Sequence, residues 1–355
     1  MPYFPLFRNL PQVPQELVFQ FVDKVDLFYY SLISKNCLNL IESLNIKAQV
    51  LKWDLHDDSS KAEGCIDSIT LRFKDCWNLI FYLNSISEKE WSAKRRKVRE
   101  ICGIKVIIER GEGIGLYFNS TASSAQMIRV FSEYFQKIFK VEKLGLRSQN
   151  ALSEIFLPYL NDNMPFSELE LYFEDEDEDG TPIVSNFQVS FELLKILLKD
   201  ITVTWKFTLQ VPVEDGATYS YSLKHKEIRL QHAKWLTIDC LIGMKCEILE
   251  AFGSHITAED VQRFIEDWLK GGYEKLETIY LWSPNESYEA IFNNSNAIPF
   301  VEWPEDLPPR PEFHNHYSCK NGRNIRRKSD GLIATIVVSS GRFKFLVWQE
   351  KFLKK

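Results

Sequence analysis

At 355 residues, 45% of them hydrophobic and 26% charged, the chain is long enough to bury the cores of two or three packed units without disulfide staples. Its net charge of -6 supplies no basic footprint for general nucleic-acid binding. No stretch approaches the ~20 apolar residues of a membrane span, and Met1 to Leu10 lacks an apolar run of signal-peptide length, so a soluble protein of the cytoplasm or nucleus is expected.

Residues 4–45 read as three short helices. Pro14 suits a first helical turn, and Leu17, Val18, Phe19, Phe21 and Val22 cover more than one face of the helix that follows. Asp26 is the expected cap of a second helix through Leu32, and Ser34 of a third that stripes Cys37, Leu38, Ile41 and Leu44 along one side. Some forty residues cannot hide this much apolar surface alone, so the excess must face the rest of the chain or another protein.

From about Ile46 to Phe118 the period changes to two. Ala48, Val50, Trp53 and Leu55 mark one strand, and Ile66, Ile69, Leu71 and Phe73 another. Ile104, Val106 and Ile108 are expected to pair with Leu116 and Phe118 across the turn Arg110-Gly111-Glu112-Gly113. The basic run Lys94-Arg95-Arg96-Lys97 between them reads as a solvated helix or loop.

After residue 120 amphipathic helices alternate with short strands: 127–138 then 141–146, 151–160 then 169–173, 191–198 then 203–211, and 261–269 then 276–281. Four such units predict a curved, leucine-rich-repeat-like α/β array. The acidic run Glu174 to Asp179 reads as a solvated loop, and Pro299 to Pro311 as an extended connector. Residues 332–338 and 343–347 form a terminal hairpin turning at Ser339-Ser340-Gly341.

Chemistry-bearing motifs are few. Gly111-Glu112-Gly113-Ile114-Gly115 lacks the Lys-Ser/Thr of a phosphate loop and lies between strands. His314 and His316 with Cys319 have metal-ligand residue types but no fourth ligand nearby. His56, His225, His232 and His255 are scattered, with no local Ser/His/Asp or Cys/His set. Seven cysteines, an odd number without a Cys-x-x-Cys pair, read as reduced core thiols. The expectation is a protein with no catalysis, metal or cofactor of its own.

Two segments carry a resemblance. Phe4-Pro5-Leu6 and Leu10-Pro11, Val18 and Val22, Asp23, Asp26-Leu27, Ser31-Leu32 and Ser34-Lys35 resemble the F-box of the large nematode family of F-box proteins. Ile256 to Asp260, Phe264-Ile265, Trp268-Leu269-Lys270-Gly271 and Leu276-Glu277 are similar to that family's type-2 F-box-associated domain, as are Ile325 to Gly331, Ala334-Thr335-Ile336, Phe343 and Val347-Trp348. Pro14 and Gln15 stand where the family prefers apolar residues, and Lys24 replaces a usual proline.

The resemblance implies an α+β and α/β chain: a three-helix F-box over 4–45, a β-rich region over 46–120, and an α/β substrate-recognition domain over 121–355. It implies a Skp-type adaptor bound through Leu10, Pro11, Val18, Val22, Leu27 and Leu32, a cullin reached through that adaptor, and a target protein held by the second part. Catalysis would then belong to the ubiquitin-conjugating enzyme, with nucleic acid and membrane uninvolved. The alternative is a binding protein whose degenerate F-box stands outside any ligase.

Overall fold

A computed structural model of the chain describes residues 22–55, 67–74, 78–86, 89, 98–110, 114–119, 124–149, 166–172, 188–293, 298–305, 307–314 and 317–353. The chain divides into two compact units, Met1–Ser167 and Glu168–Lys355. No described helix is long and apolar enough to cross a membrane.

In the first unit, helix α1 (Lys24–Ser31) starts at Asp23, whose carboxylate accepts from the Val25 amide at 2.7 Å. The cap is therefore Asp23 rather than Asp26, which lies in the first turn and faces the positive end of the helix dipole. Helix α2 (Lys35–Ser43) is capped by Ser34 as its spacing requires, through the Cys37 amide at 3.2 Å. The helix expected before Val22 lies outside the described residues, as do the basic run 94–97, the acidic run 174–179 and the helix expected over 151–160.

Strands β1 (Lys47–Leu55), β2 (Asp67–Arg72), β3 (Asn78–Ile86), β4 (Val98–Ile101), β5 (Ile104–Arg110), β6 (Ile114–Asn119) and β7 (Lys140–Gln149) line up as β7-β1-β2-β3-β6-β5-β4. β1 runs parallel to β7 and β3 to β6; the other neighbours are antiparallel. The β5–β6 hairpin has the expected register, with Ile108 opposite Leu116 and Val106 opposite Phe118. Register also aligns Trp53, Ile69, Phe81 and Ile114 across four strands.

Helix α3 (Ser124–Ile138) covers that row. Phe135 meets Phe81 at 4.5 Å between ring centroids, and the Trp53 indole donates to Ser132 Oγ at 2.8 Å. Helix α1 joins the same core. Phe28 lies 4.8 Å from Phe81 and 5.8 Å from Phe135, and the Ser31 and Tyr134 hydroxyls share a 2.8 Å hydrogen bond. Among the described residues of the N-terminal helices, Leu27, Phe28, Cys37 and Ile41 are thus taken up by the chain itself.

The second unit contains strands β8 (Phe166–Tyr172, entering it at Glu168), β9 (Val203–Leu209), β10 (Glu227–Leu230), β11 (Ile248–Phe252), β12 (Thr278–Trp282), β13 (Phe300–Val301), β14 (Phe313–His314), β15 (Tyr317–Ser318), β16 (Arg323–Arg326), β17 (Ile333–Ser339) and β18 (Arg342–Trp348). Their order is β8-β9-β10-β11-β12-β18-β17-β16-β13, with β14–β15 a separate two-stranded ladder. β9 to β12 are parallel neighbours in chain order, and the terminal hairpin β17–β18 pairs antiparallel with β12.

Helix α4 (Phe191–Lys195) continues as a π turn over Ile196–Asp200 before β9. Helix α5 (Ile238–Leu241) precedes β11, α6 (Ala258–Lys270) precedes β12, and α7 (Ala290–Asn293) and α8 (Glu350–Leu353) follow. The units expected at 191–211 and 261–281 are present. β10 and β11, four and five residues long, were not anticipated, and no helix lies in the β9–β10 connection.

α6 opens on a capping box between Thr257 and Asp260 and ends at Gly271, whose φ of +122° suits glycine. It buries Val261, Phe264, Ile265 and Trp268. Phe264 and Trp268 both meet Phe345 of β18 edge to face at 5.2 Å. Against Trp268 lies Arg327, 2% exposed, its guanidinium carbon 4.8 Å from the indole. Arg327 donates through Nε and Nη2 to the two oxygens of Asp330 at 3.0 and 2.6 Å, and through Nη1 to the Gly272 carbonyl. A buried guanidinium survives only with such pairing.

On the other side of the β17–β18 hairpin, Trp348 donates to Thr335 Oγ1, which donates to Asn324 Oδ1, each at 2.8 Å. Cys319, Ile333, Leu346 and Trp348 form a core cluster here, covered by Trp303, Leu307 and Tyr317. The proline-rich connector is therefore also a lid on the hairpin.

Phe28→Ala should lower the unfolding free energy of the chain by about 3–5 kcal/mol in a denaturant titration, the usual cost of removing a buried phenylalanine; an unchanged midpoint would place α1 outside the core. A second expectation concerns Asp330. Its hydrogen bonds from Arg327 hold its carboxyl below the usual range, while burial opposes them. Unfolded Asp330 binds its proton at higher pH than the folded form. The stabilisation is thus complete above the ordinary carboxylate pKa of about 3.9 and drains away as pH falls through the depressed folded value. The stability advantage of wild type over Asp330→Asn should narrow on acidification below about pH 4; an advantage that stays constant would exclude the charge of Asp330 as its source.

Candidate functional site

Two surfaces and one cavity stand out. The first surface lies on the N-terminal helices. Leu27, Phe28 and Ser31 point inward from one side of α1, and Leu27 is 0% exposed. Leu27 is thus a core residue and not part of the free surface. Val22 and Leu32 are half-buried, and Ile33, in the turn before α2, is 57% exposed. Leu10, Pro11 and Val18 lie outside the described residues. Ile33 escaped the sequence reading because a turn residue falls in no periodic stripe.

The second surface is the face of the second unit's sheet opposite α6. Strand alternation sends Phe207, Ile228, Leu249, Ile279 and Phe345 to one side, where all are buried. The cross-strand row Arg229, Glu250, Tyr280, Lys344 and the adjoining row Phe252, Trp282, Arg342 lie on the other. Trp282 is 37% exposed, one of few large apolar side chains so exposed among the described residues. Phe252 meets Tyr280 edge to face at 5.3 Å, and Tyr280 stacks on Tyr317 at 5.2 Å.

Charges on this face are unevenly partnered. Glu227 takes Lys206 at 3.6 Å and Arg229 at 3.1 Å. Glu250 takes Arg229 at 3.3 Å and the Tyr317 hydroxyl at 2.7 Å. Burial and that bond to Glu250 push the Tyr317 phenol well above its ordinary range. Lys344 instead sits over aromatic rings, its ammonium 5.2 Å from the centroid of Tyr317 and 5.8 Å from that of Tyr280. Burial and then the nearby Arg342 lower its pKa. Alternation in Thr278-Ile279-Tyr280-Leu281-Trp282 and Arg342-Phe343-Lys344-Phe345 hinted at such a face; only the register joins the two strands.

The cavity, about 570 Å³, opens beyond the carboxyl ends of β9, β10 and β11. Glu214, Asp215, His232, Lys234, Trp235 and His255 are among its lining. The fold thus brings together two of the four scattered histidines. His232 holds a left-handed φ of +54°, and burial, then Lys234, lowers its pKa. Both imidazoles are exposed, and Glu214 is committed to the Phe191 amide at 2.8 Å. His225 is elsewhere, stacked on Phe207 at 5.3 Å and kept neutral-leaning by burial. Cys319 is buried, with its thiol pushed up to about 11 by burial. His316 lies outside the described residues, among which no group of three or more His, Cys, Asp and Glu could hold a metal ion.

Comparison with known proteins finds two domain matches and two nematode relatives. Residues 7–49 match the F-box domain, and residues 221–281 match the family described as F-box associated. The second match takes in β10, α5, β11 and α6 and ends within β12, and so includes Trp268 and the Arg229, Glu250, Phe252 and Tyr280 part of the open face. The Caenorhabditis elegans uncharacterized protein F59B2.8 is 23% identical over 368 residues, covering 99% of this chain and 79% of the relative. F59B2.9 of the same organism is 21% identical over 375 residues, covering 98% and 80%. No solved structure matches. This chain thus carries an F-box match near its N-terminal end and an F-box-associated match in its C-terminal half, and it is similar along nearly its whole length to nematode proteins, the combination seen in nematode F-box proteins.

Proposed function

We propose that this protein is the substrate-recognition subunit of an SCF-type (Skp, cullin, F-box) ubiquitin ligase. The observation that carries the reading is the presence of both matches, F-box and F-box associated, on one chain. The F-box engages a Skp-type adaptor and through it a cullin; the second unit holds a target protein. The chain contributes proximity and leaves catalysis to the conjugating enzyme, since a tethered target meets that enzyme at a high effective concentration.

On this reading the adaptor surface comprises Leu10, Pro11 and Val18 with Val22 and Leu32, and Ile33 extends it. Leu27 supports that surface from beneath. The parallel strands β9 to β12, taken in chain order, serve as a short leucine-rich-repeat-like stack whose open face meets the target. The free cysteines Cys37, Cys102, Cys240, Cys246 and Cys319 suit a reducing compartment, the cytoplasm or nucleus. A degenerate F-box outside any ligase is the competing reading; the withdrawal of Leu27 into the core and Lys24 in place of the usual proline favour it.

Calorimetry of a purified Skp-type adaptor against the full-length chain decides between them. The expected result is binding that depends weakly on salt, because the contact is apolar. Leu10→Ala with Pro11→Ala should cost ~2 kcal/mol or more, roughly thirtyfold in affinity, and Ile33→Asp should weaken binding without changing the melting temperature. Absence of binding in the wild type would leave the competing reading.

A further inference from the structure

We infer that the open sheet face of the second unit binds an acidic, extended segment of the target polypeptide, its carboxylates on Lys344 and Arg342 and its apolar side chains on Phe252, Tyr280 and Trp282. This deepens the reading of the second unit as the part that holds the target, and rests on it.

The first argument is charge. Lys206, Arg229, Arg342 and Lys344 share this face with Glu227 and Glu250. Both carboxylates are already committed, to Lys206, Arg229 and the Tyr317 hydroxyl. Among the described residues no carboxylate oxygen lies within salt-bridge distance of Lys344 or Arg342. The unspent charge on the face is therefore positive, although the whole chain is acidic, with a net charge of -6. An acidic partner would meet a local field opposite to that of the molecule's overall charge.

Position is the second argument. Lys344 and Arg342 are two residues apart on one strand, so they project from the same face with a Cα spacing of about 6.8 Å. An extended peptide repeats its own side chains at that same spacing, so carboxylates at alternate positions can reach both cations. Lys344 is held where two tyrosine rings flank its ammonium. Burial and Arg342 make its charge costly in the unliganded protein, a cost that an incoming carboxylate relieves.

The third argument is the aromatic floor. Phe252, Tyr280 and Trp282 sit beside the cations in the same rows, and Trp282 is a substantially exposed indole. Rigid aromatics next to an arginine are the residues that dominate protein–protein binding energy. A single-stranded nucleic acid also favours aromatics and cations, but its phosphate at every nucleotide calls for a longer cationic track than Lys344 and Arg342 provide, whereas a peptide can place carboxylates at those two positions alone.

The test is a peptide array in which acidic, neutral and basic sequences of matched hydrophobicity are equally represented, probed with the full-length chain. Wild type should retain acidic peptides selectively. Lys344→Glu with Arg342→Glu should reduce that retention by roughly tenfold or more, as like charges replace opposite ones. The milder Lys344→Gln with Arg342→Gln should give an intermediate loss with an unchanged melting temperature, which separates binding from folding. Lys224→Glu, an exposed residue before β10 and outside both cross-strand rows, should behave as wild type. Charge-blind retention, retention unaffected by either double substitution, or stronger binding of a single-stranded RNA that the same substitutions abolish would each overturn the inference. Adaptor calorimetry is independent of this face. Adaptor binding without acidic selectivity would sink the inference alone, and acidic selectivity without adaptor binding would sink only the ligase reading.

Discussion

Trp268 of α6 meets Phe345 of β18 edge to face, and the buried Arg327 guanidinium closes over the same indole. This packing decides which face of the second unit's sheet is sealed. Parallel sheets ordinarily lie under cover on both sides. Here α6 covers one side of β12 and β18, while on the other the Trp303–Tyr317 segment covers the β17–β18 hairpin and lays Tyr317 on the Tyr280 ring, its hydroxyl reaching Glu250 of β11 and leaving Phe252, Trp282 and Arg342 uncovered by it. What remains open along β10 to β12 carries salt-bridged and aromatic side chains rather than aliphatic ones. The proposed binding surface is therefore a by-product of where the cover stops.

Arg327 also gives a charged stretch of sequence a structural role. Its two hydrogen bonds to Asp330 and a third to the Gly272 carbonyl tie the end of α6 to the turn between β16 and β17. Asp330 accepts in turn from the Leu332 amide at 3.1 Å, and the Gly331 amide bonds back to the Arg327 carbonyl. Each polar group in the cluster thus has a defined partner, which fixes a turn that apolar packing alone would leave underspecified.

The first unit follows a similar logic on a different scale. Phe28 and Ser31 tie the N-terminal helices to the aromatic core between β3 and α3. The F-box helices described here are therefore continuous with a β-sheet rather than strung on a linker. A partner bound at Leu32 and Ile33 would be held in a set orientation to that sheet, the property needed of an adaptor that works by proximity.

Much of this could be read from the amino-acid order. Period-two alternation located β1, β2 and both hairpins, and helical spacing located α3 and α6. Ser34 marked a helix start because capping is a local interaction between residues three apart; the Thr257–Asp260 box is a signal of the same kind that was not read, and α6 begins three residues before the expected 261. The paired resemblance to F-box and F-box-associated segments was likewise carried by local motifs. Tertiary structure alone decided the rest. β10 and β11 are too short for alternation to register, and their hydrogen bonds come from parallel neighbours distant in the chain. Leu27 and Leu32 are alike as residues, and only the packing of α1 buries the one fully and leaves the other half-buried. Lys344 and Arg342 are ordinary cations in sequence. They became a candidate site because strand register placed them beside Tyr280, Trp282 and Tyr317 while the carboxylates of the same face were drawn to other bases. Periodicity reveals that an element has two faces; which one is covered depends on residues distant in the chain.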